Sequence, residues 1–255
     1  MSAPFFVGWS GRTGPSLGRF LALVASGLIV LFGALGYALA AFGGDPSRMM
    51  VGVAPPERLP SETPMPGTFT GVLERGPTPL LRLDPTADRP NGRTVMMSLW
   101  DKRGVPVADD LYGRRVSVSG VLFSRGDLAM LLNGGDFAPL EGEGPAAPEA
   151  VPLGRWRIAG EICDGKCYAG VMKPGTGVGH RACAALCFVG EVPAVFVASA
   201  PAMGARFFVL AGSDGGPPPP SARHLFGVPV ELEGTLERRG DAVIFAVDFD
   251  RARVR

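Results

Sequence analysis

The chain has 255 residues with 25 basic against 24 acidic side chains, a formal net charge of +1, so no surplus of positive charge marks it for nucleic acid or anionic lipid. Glycine (37) and proline (25) are abundant while charge is modest, which favours short strands joined by turns over long helices. No H-E-x-x-H or phosphate-loop motif occurs, so metal-dependent hydrolase and nucleotide chemistry have no support and no catalytic residue is assigned.

Residues 1–19 carry Arg12 and Arg19 and no acid, and residues 20–42, FLALVASGLIVLFGALGYALAAF, form an uncharged apolar run. About 20 helical residues cross a hydrocarbon core, so this run is expected to be a transmembrane helix. The rival is a cleaved secretory signal ending at Ala38-Leu39-Ala40, although the apolar core of a signal is usually only ~7–15 residues. Asp45, Arg48, Glu57 and Arg58 balance one another beyond the run. The positive-inside bias therefore places residues 1–19 in the cytoplasm and the bulk of the chain on the periplasmic face of a bacterial inner membrane. Residues 43–66 are proline-rich and read as a semi-extended spacer.

Residues 113–127, GRRVSVSGVLFSRGD, and 227–241, GVPVELEGTLERRGD, align without a gap at an offset of 114. Val116/Val230, Val118/Leu232, Gly120/Gly234, Leu122/Leu236 and Gly126-Asp127/Gly240-Asp241 correspond. Each segment alternates apolar and polar residues, turns at Gly-Asp and runs into a second apolar stretch, the pattern of a hairpin. PLLRL at 79–83 meets PAVFV at 193–197 at the same offset, and TVMMSL at 94–99 meets RFFVLA at 206–211 after a two-residue slip. FTGVL at 69–73 pairs with IAGEI at 158–162 at an offset of only 89, so the second copy carries an insertion after its first strand.

Each copy thus has five expected strands: 67–75, 79–84, 94–100, 114–123 and 127–133, then 155–163, 193–199, 205–211, 228–238 and 241–249. A three-strand meander followed by a closing hairpin is the order of a small barrel of the oligonucleotide/oligosaccharide-binding (OB) type. The expected architecture is mainly β: one transmembrane helix and two tandem OB-like five-stranded barrels, 67–138 and 155–255, joined by a linker at 139–154. A single β-sandwich assembled from both copies satisfies the same strand list. The run GGPPPP at 215–220 reads as a stiff surface loop.

The insertion, 163–192, holds all four cysteines and His180, one of two histidines. Cys163 and Cys167 close the first strand of the second copy, and RACAALCF at 181–188 reads as a short helix. Positions 180, 183 and 187 then fall on one helical stripe. Four cysteines in an exported insertion read first as two disulfides. Links from Cys163 and Cys167 across to Cys183 and Cys187 suit disulfide geometry better than a bond within the helix. The other readings are a Zn or Cu site of thiolates with His180, redox-active thiols, and haem held by His180. Lys166, Lys173 and Arg181 flank the cysteines as a solvated face, GTGVG at 175–179 reads as a hinge, and His224 as a surface histidine.

The stretch Asp164-Gly-Lys-Cys167-Tyr-Ala-Gly-Val-Met-Lys-Pro-Gly, followed by His180-Arg-Ala-Cys183-Ala and Cys187, resembles the D-x-K-C-(F/Y)-x-G-V-M-x-P-G…H-R-x-C-A-x2-C segment of uncharacterised bacterial membrane-anchored proteins. The resemblance implies a ligand set of Cys167, His180, Cys183 and Cys187, with Cys163 an extra, and brings no activity with it. The leading functional expectation is a non-enzymatic, membrane-tethered periplasmic protein, a binding or assembly subunit of a membrane redox complex whose insertion is stapled by disulfides. The alternatives are a metal- or haem-handling protein and a thiol–disulfide oxidoreductase. Nucleic acid is not an expected partner, because the strands lack aromatic rows.

Overall fold

The computed structural model describes residues 14–42, 61–87 and 89–255. Arg12, Asp45, Arg48, Glu57 and Arg58, on which the expected orientation and most of the spacer rest, lie outside the described residues. The chain divides into two compact units, Met1–Asp45 and Pro46–Arg255. In the first, helix α1 runs from Pro15 to Phe42. It starts a turn and more before the apolar run because proline, with no N–H and a fixed φ, is suited to a first helical position. Within it, Pro15–Ala38 is long and apolar enough to cross a membrane, a property shared by anchors and signal sequences.

The second unit is mainly β. Strands β1 (Met65–Glu74), β2 (Leu80–Leu83), β3 (Arg93–Leu99), β4 (Arg115–Arg125), β5 (Leu128–Asn133) and β6 (Ala138–Pro139) form the first sheet, in the order β1-β2-β3-β5-β4-β6. An additional antiparallel pairing of β1 with β4 closes β1 to β5 into a five-stranded barrel. Alternation in β4 explains its seating: Val116 and Val118 are buried in the barrel core, interleaved with Arg115, Ser117 and Ser119. The β4–β5 hairpin turns at Gly126-Asp127, where Gly126 has φ +56°, a conformation that favours glycine.

Strands β7 (Ala150–Asp164), β8 (Ala194–Ala202), β9 (Ala205–Gly212), β10 (Pro229–Arg239), β11 (Ala242–Val247) and β12 (Arg253–Val254) form the second sheet. Its order, β11-β9-β8-β7-β10-β12 with an additional β10–β11 pairing, repeats the first sheet strand for strand. The repeat reaches the turn, since Gly240 has φ +60°. It also reaches the short sixth strands, which pair at the corresponding Val116 and Val230. The second sheet is less regular than the barrel expected: the β8–β9 register shifts between Val197 and Ala202. Strand β7 begins at Ala150, inside the expected linker, because it continues to pair with β10 across an irregularity at Leu236/Glu237. Gly154, with φ +85°, occupies that bulge.

The two sheets are not beads on a string. Leu80, Met96, Leu128, Met130 and Leu132 of the first pack with Val195, Val197, Val209, Ala211 and Ile244 of the second, around Cys163, Tyr168 and Ala169 of the insertion. The backbone N–H of Thr94 also donates to the Asp241 carboxylate at 3.0 and 3.1 Å, so the second hairpin turn holds the start of β3. The insertion is wedged into this shared core, which fixes where its remaining side chains point.

Candidate metal centre

The insertion leaves the end of β7 through Asp164, whose side chain is fully buried. Its Oδ1 accepts the backbone N–H of Cys167 at 2.7 Å, an aspartate cap on the turn that follows. That turn, Cys167–Val171, is of the wide π type, a form often found at functional sites. Tyr168 goes one way, into the core between the sheets, under the guanidinium of Arg125 at 4.6 Å from its ring centre. Cys167, its neighbour, is also buried and faces the rest of the insertion.

The chain returns through a glycine-rich loop to a 3-10 turn, Val178–His180, and helix α2, Arg181–Val189. Within the loop the Gly177 N–H donates to Glu161 Oε1 at 2.6 Å, so it serves the fold rather than a phosphate. His180 sits at the helix start with its Nε2 2.8 Å from Asp164 Oδ2. One carboxylate therefore caps the first turn and orients the imidazole. With Nε2–H donated to Asp164, the lone pair is left on Nδ1, the arrangement by which a carboxylate prepares a histidine for a metal.

Among the described residues, two overlapping triads have ligand atoms within 4.8 Å of one another: Cys167, His180 and Cys183, and Asp164, Cys167 and Cys187. Cys167 belongs to both, so the two triads lie side by side and share one sulfur, with His180 and Cys183 in one and Asp164 and Cys187 in the other. Hydrogen bonding from Cys167, and less from Cys183, holds the Cys187 thiol down to about 7 against the opposing effect of burial. Cys167, the donor of that bond, is pushed up. Burial raises Cys183, and the Lys102 ammonium opposes the rise from 3.4 Å away.

Lys102 comes from the other sheet. The loop after β3 packs on the insertion: Lys166 Nζ donates to the Asp101 carbonyl, and the Gly104 N–H donates to the Gly190 carbonyl at 2.7 Å. A side chain on Gly190 would collide with the Lys102 backbone, so the close approach requires glycine there.

Cys163 stands apart from the cluster. It is buried in the shared core, where its thiol lies 3.5 Å from Glu161 Oε1 and burial raises its pKa well above the ordinary value. The expected disulfides between the 163/167 and 183/187 pairs are not formed; all four cysteines are free thiols. The core claims Cys163 and separates it from the other three sulfurs, so the expected pair of bridges cannot be completed. Lys166, expected on a solvated face, is buried, whereas His224 is exposed with Nδ1 2.8 Å from the Ser221 carbonyl.

Sequence reasoning did not single out Asp164 or Lys102 as functional. Asp164 stood in plain view three residues before Cys167. Lys102 is 81 residues from Cys183 and carries no local signal. No family model, curated protein or solved structure matches the chain.

Proposed function

We propose that this protein is a membrane-tethered metal-handling protein that holds one transition-metal ion, zinc or copper, on Cys167, His180, Cys183 and Cys187. The observation that carries the reading is that Cys167 joins two overlapping ligand triads, one with His180 and Cys183 and one with Asp164 and Cys187, with His180 oriented by the buried Asp164. Three thiolates and an imidazole form a Cys3His set, chemically competent for tetrahedral zinc and, by the softness of sulfur, for Cu(I). Haem suits the site poorly, because His180 is buried and cysteine sulfurs crowd the imidazole, leaving no room for a macrocycle beside it. Periplasmic exposure remains the expectation from the charge around α1, and the strand order β1-β2-β3-β5-β4 supports the OB-type reading of each sheet. Tethering keeps the ion beside the membrane, which fits a role as accessory to a membrane redox complex.

The test is metal content and free-thiol count on the full chain in detergent, prepared with and without chelator. One equivalent of metal per chain, lost in His180→Ala and in Cys187→Ser, is the expected result. Chain that carries and takes up no metal with all four thiols free overturns the reading. A second reading, thiol–disulfide exchange, is favoured by one observation: Cys187 is held down to about 7 by the neighbouring Cys167 sulfur. A reversible Cys167–Cys187 bond in chain that takes up no metal would carry it instead.

A further inference from the structure

The ligands of this centre are graded from the surface inward. Cys187, Cys167 and His180 are 0%, 1% and 3% exposed, and Cys183 is intermediate. Outside Cys183 lies a further sulfur: Met172 Sδ is 3.8 Å from Cys183 Sγ, and Met172 is 41% exposed. Met172 belongs to none of the three core clusters, so its thioether is not committed to packing and stands at the surface beside the thiol. Its thioether carries no proton at any working pH and binds soft ions in preference to hard ones.

The Lys102 ammonium on the same Cys183 sulfur adds a charge argument. Repulsion from a fixed cation scales with the charge of the arriving ion, so a divalent ion is opposed twice as strongly as a monovalent one. Softness and charge therefore point to the same ion.

We propose that Met172 is the outer ligand of an access route for Cu(I), taking the ion at the surface and handing it to Cys183, from which it passes to Cys167, Cys187 and His180. This rests on the metal reading given above. The ion stays Cu(I) throughout: the Met172 sulfur–copper bond breaks as the Cys183 bond forms, and protons displaced from the cysteine thiols leave to water. Met172 controls the rate of exchange, whereas the inner four side chains set the capacity.

The experiment uses the full chain in detergent, loaded without oxygen from the acetonitrile complex of Cu(I) and, in parallel, from zinc sulfate. Loading and release to a competing chelator are followed in time for wild type and Met172→Leu, a swap that keeps volume and removes sulfur. The expected result is Cu(I) exchange slowed about tenfold, a barrier raised by about 1.4 kcal/mol, with zinc exchange unchanged and the same end point. Lys102→Gln, which removes the cation, is expected to speed zinc loading more than copper loading. Equal Cu(I) rates in wild type and Met172→Leu overturn the proposal, as does equal slowing of both metals, which would mark a steric effect. Wild type that takes up neither metal fails earlier, at the metal reading itself.

Discussion

His180 Nε2 and Asp164 Oδ2 lie 2.8 Å apart, and the two side chains are 3% and 0% exposed. A buried carboxylate with one oxygen on a histidine and the other on the Cys167 N–H leaves little freedom to either partner. Asp164→Asn keeps an oxygen for the Cys167 N–H but turns an NH2 donor toward His180 Nε2, which favours the tautomer with its proton on Nδ1 and removes the lone pair left for the metal. Metal affinity of that variant, measured by chelator competition, is expected to fall by ~10–100-fold with the fold retained. Asp164→Ala also removes the cap and is expected to lower stability by about 1 kcal/mol more than Asn does, read from urea midpoints.

In metal-free protein the first cysteine of the cluster to ionise is Cys187, held down to about 7. Thiolate absorbance in the ultraviolet should therefore rise through a step near pH 7 that belongs to one sulfur. Cys167→Ala removes the leading cause of that low value and leaves burial unopposed by it, so the step should move to higher pH. A titration in which Cys167→Ala and wild type superimpose would show that the two thiols do not communicate.

Much of this arrangement was written in local sequence. The duplicated alternation around Val116 and Val230 placed β4 and β10, and Gly126 and Gly240 marked their turns, because each signal depends on neighbours a few residues apart. The offset change from 114 to 89 located the insertion, and the spacing of His180 and Cys183 put both on the same side of the helix start, where they share a triad with Cys167. What stayed hidden depends on packing between distant segments. The resemblance left Cys163 outside the ligand set without saying where it goes, and only the folded sheets show that the shared core claims it. The same holds for Lys102, delivered by a loop of the other sheet, and for β7, whose first residues look like linker until β10 is beside them.

The shared core makes a prediction about cooperativity. Met130 is fully buried between the sheets, packed among residues of both and of the insertion. Met130→Ala is expected to cost about 2–5 kcal/mol, the range for such cavities. Because the lost contacts belong to both sheets, urea unfolding followed by circular dichroism and by fluorescence should give one coincident transition, shifted to lower midpoint. Two separated transitions in wild type would mean that the sheets are independent.

A last prediction concerns acid. Asp84 Oδ2 accepts from Arg115 at 2.6 Å and from Thr70 at 2.7 Å, and the Arg115 bond is the leading reason its carboxyl sits below the ordinary 3.8. A carboxyl whose pKa is lower folded than unfolded binds fewer protons in the native state, so its contribution to stability is complete above 3.8. That contribution is lost as pH falls below 3.8 and through the folded value. Arg115→Met raises the folded value toward the unfolded one, and stability should then depend less steeply on pH in that acid window. The comparison is of urea midpoints for the two proteins across the window, with identical slopes counting against the pair. At neutral pH the variant should be slightly less stable, since the partly exposed pair is screened by water and salt.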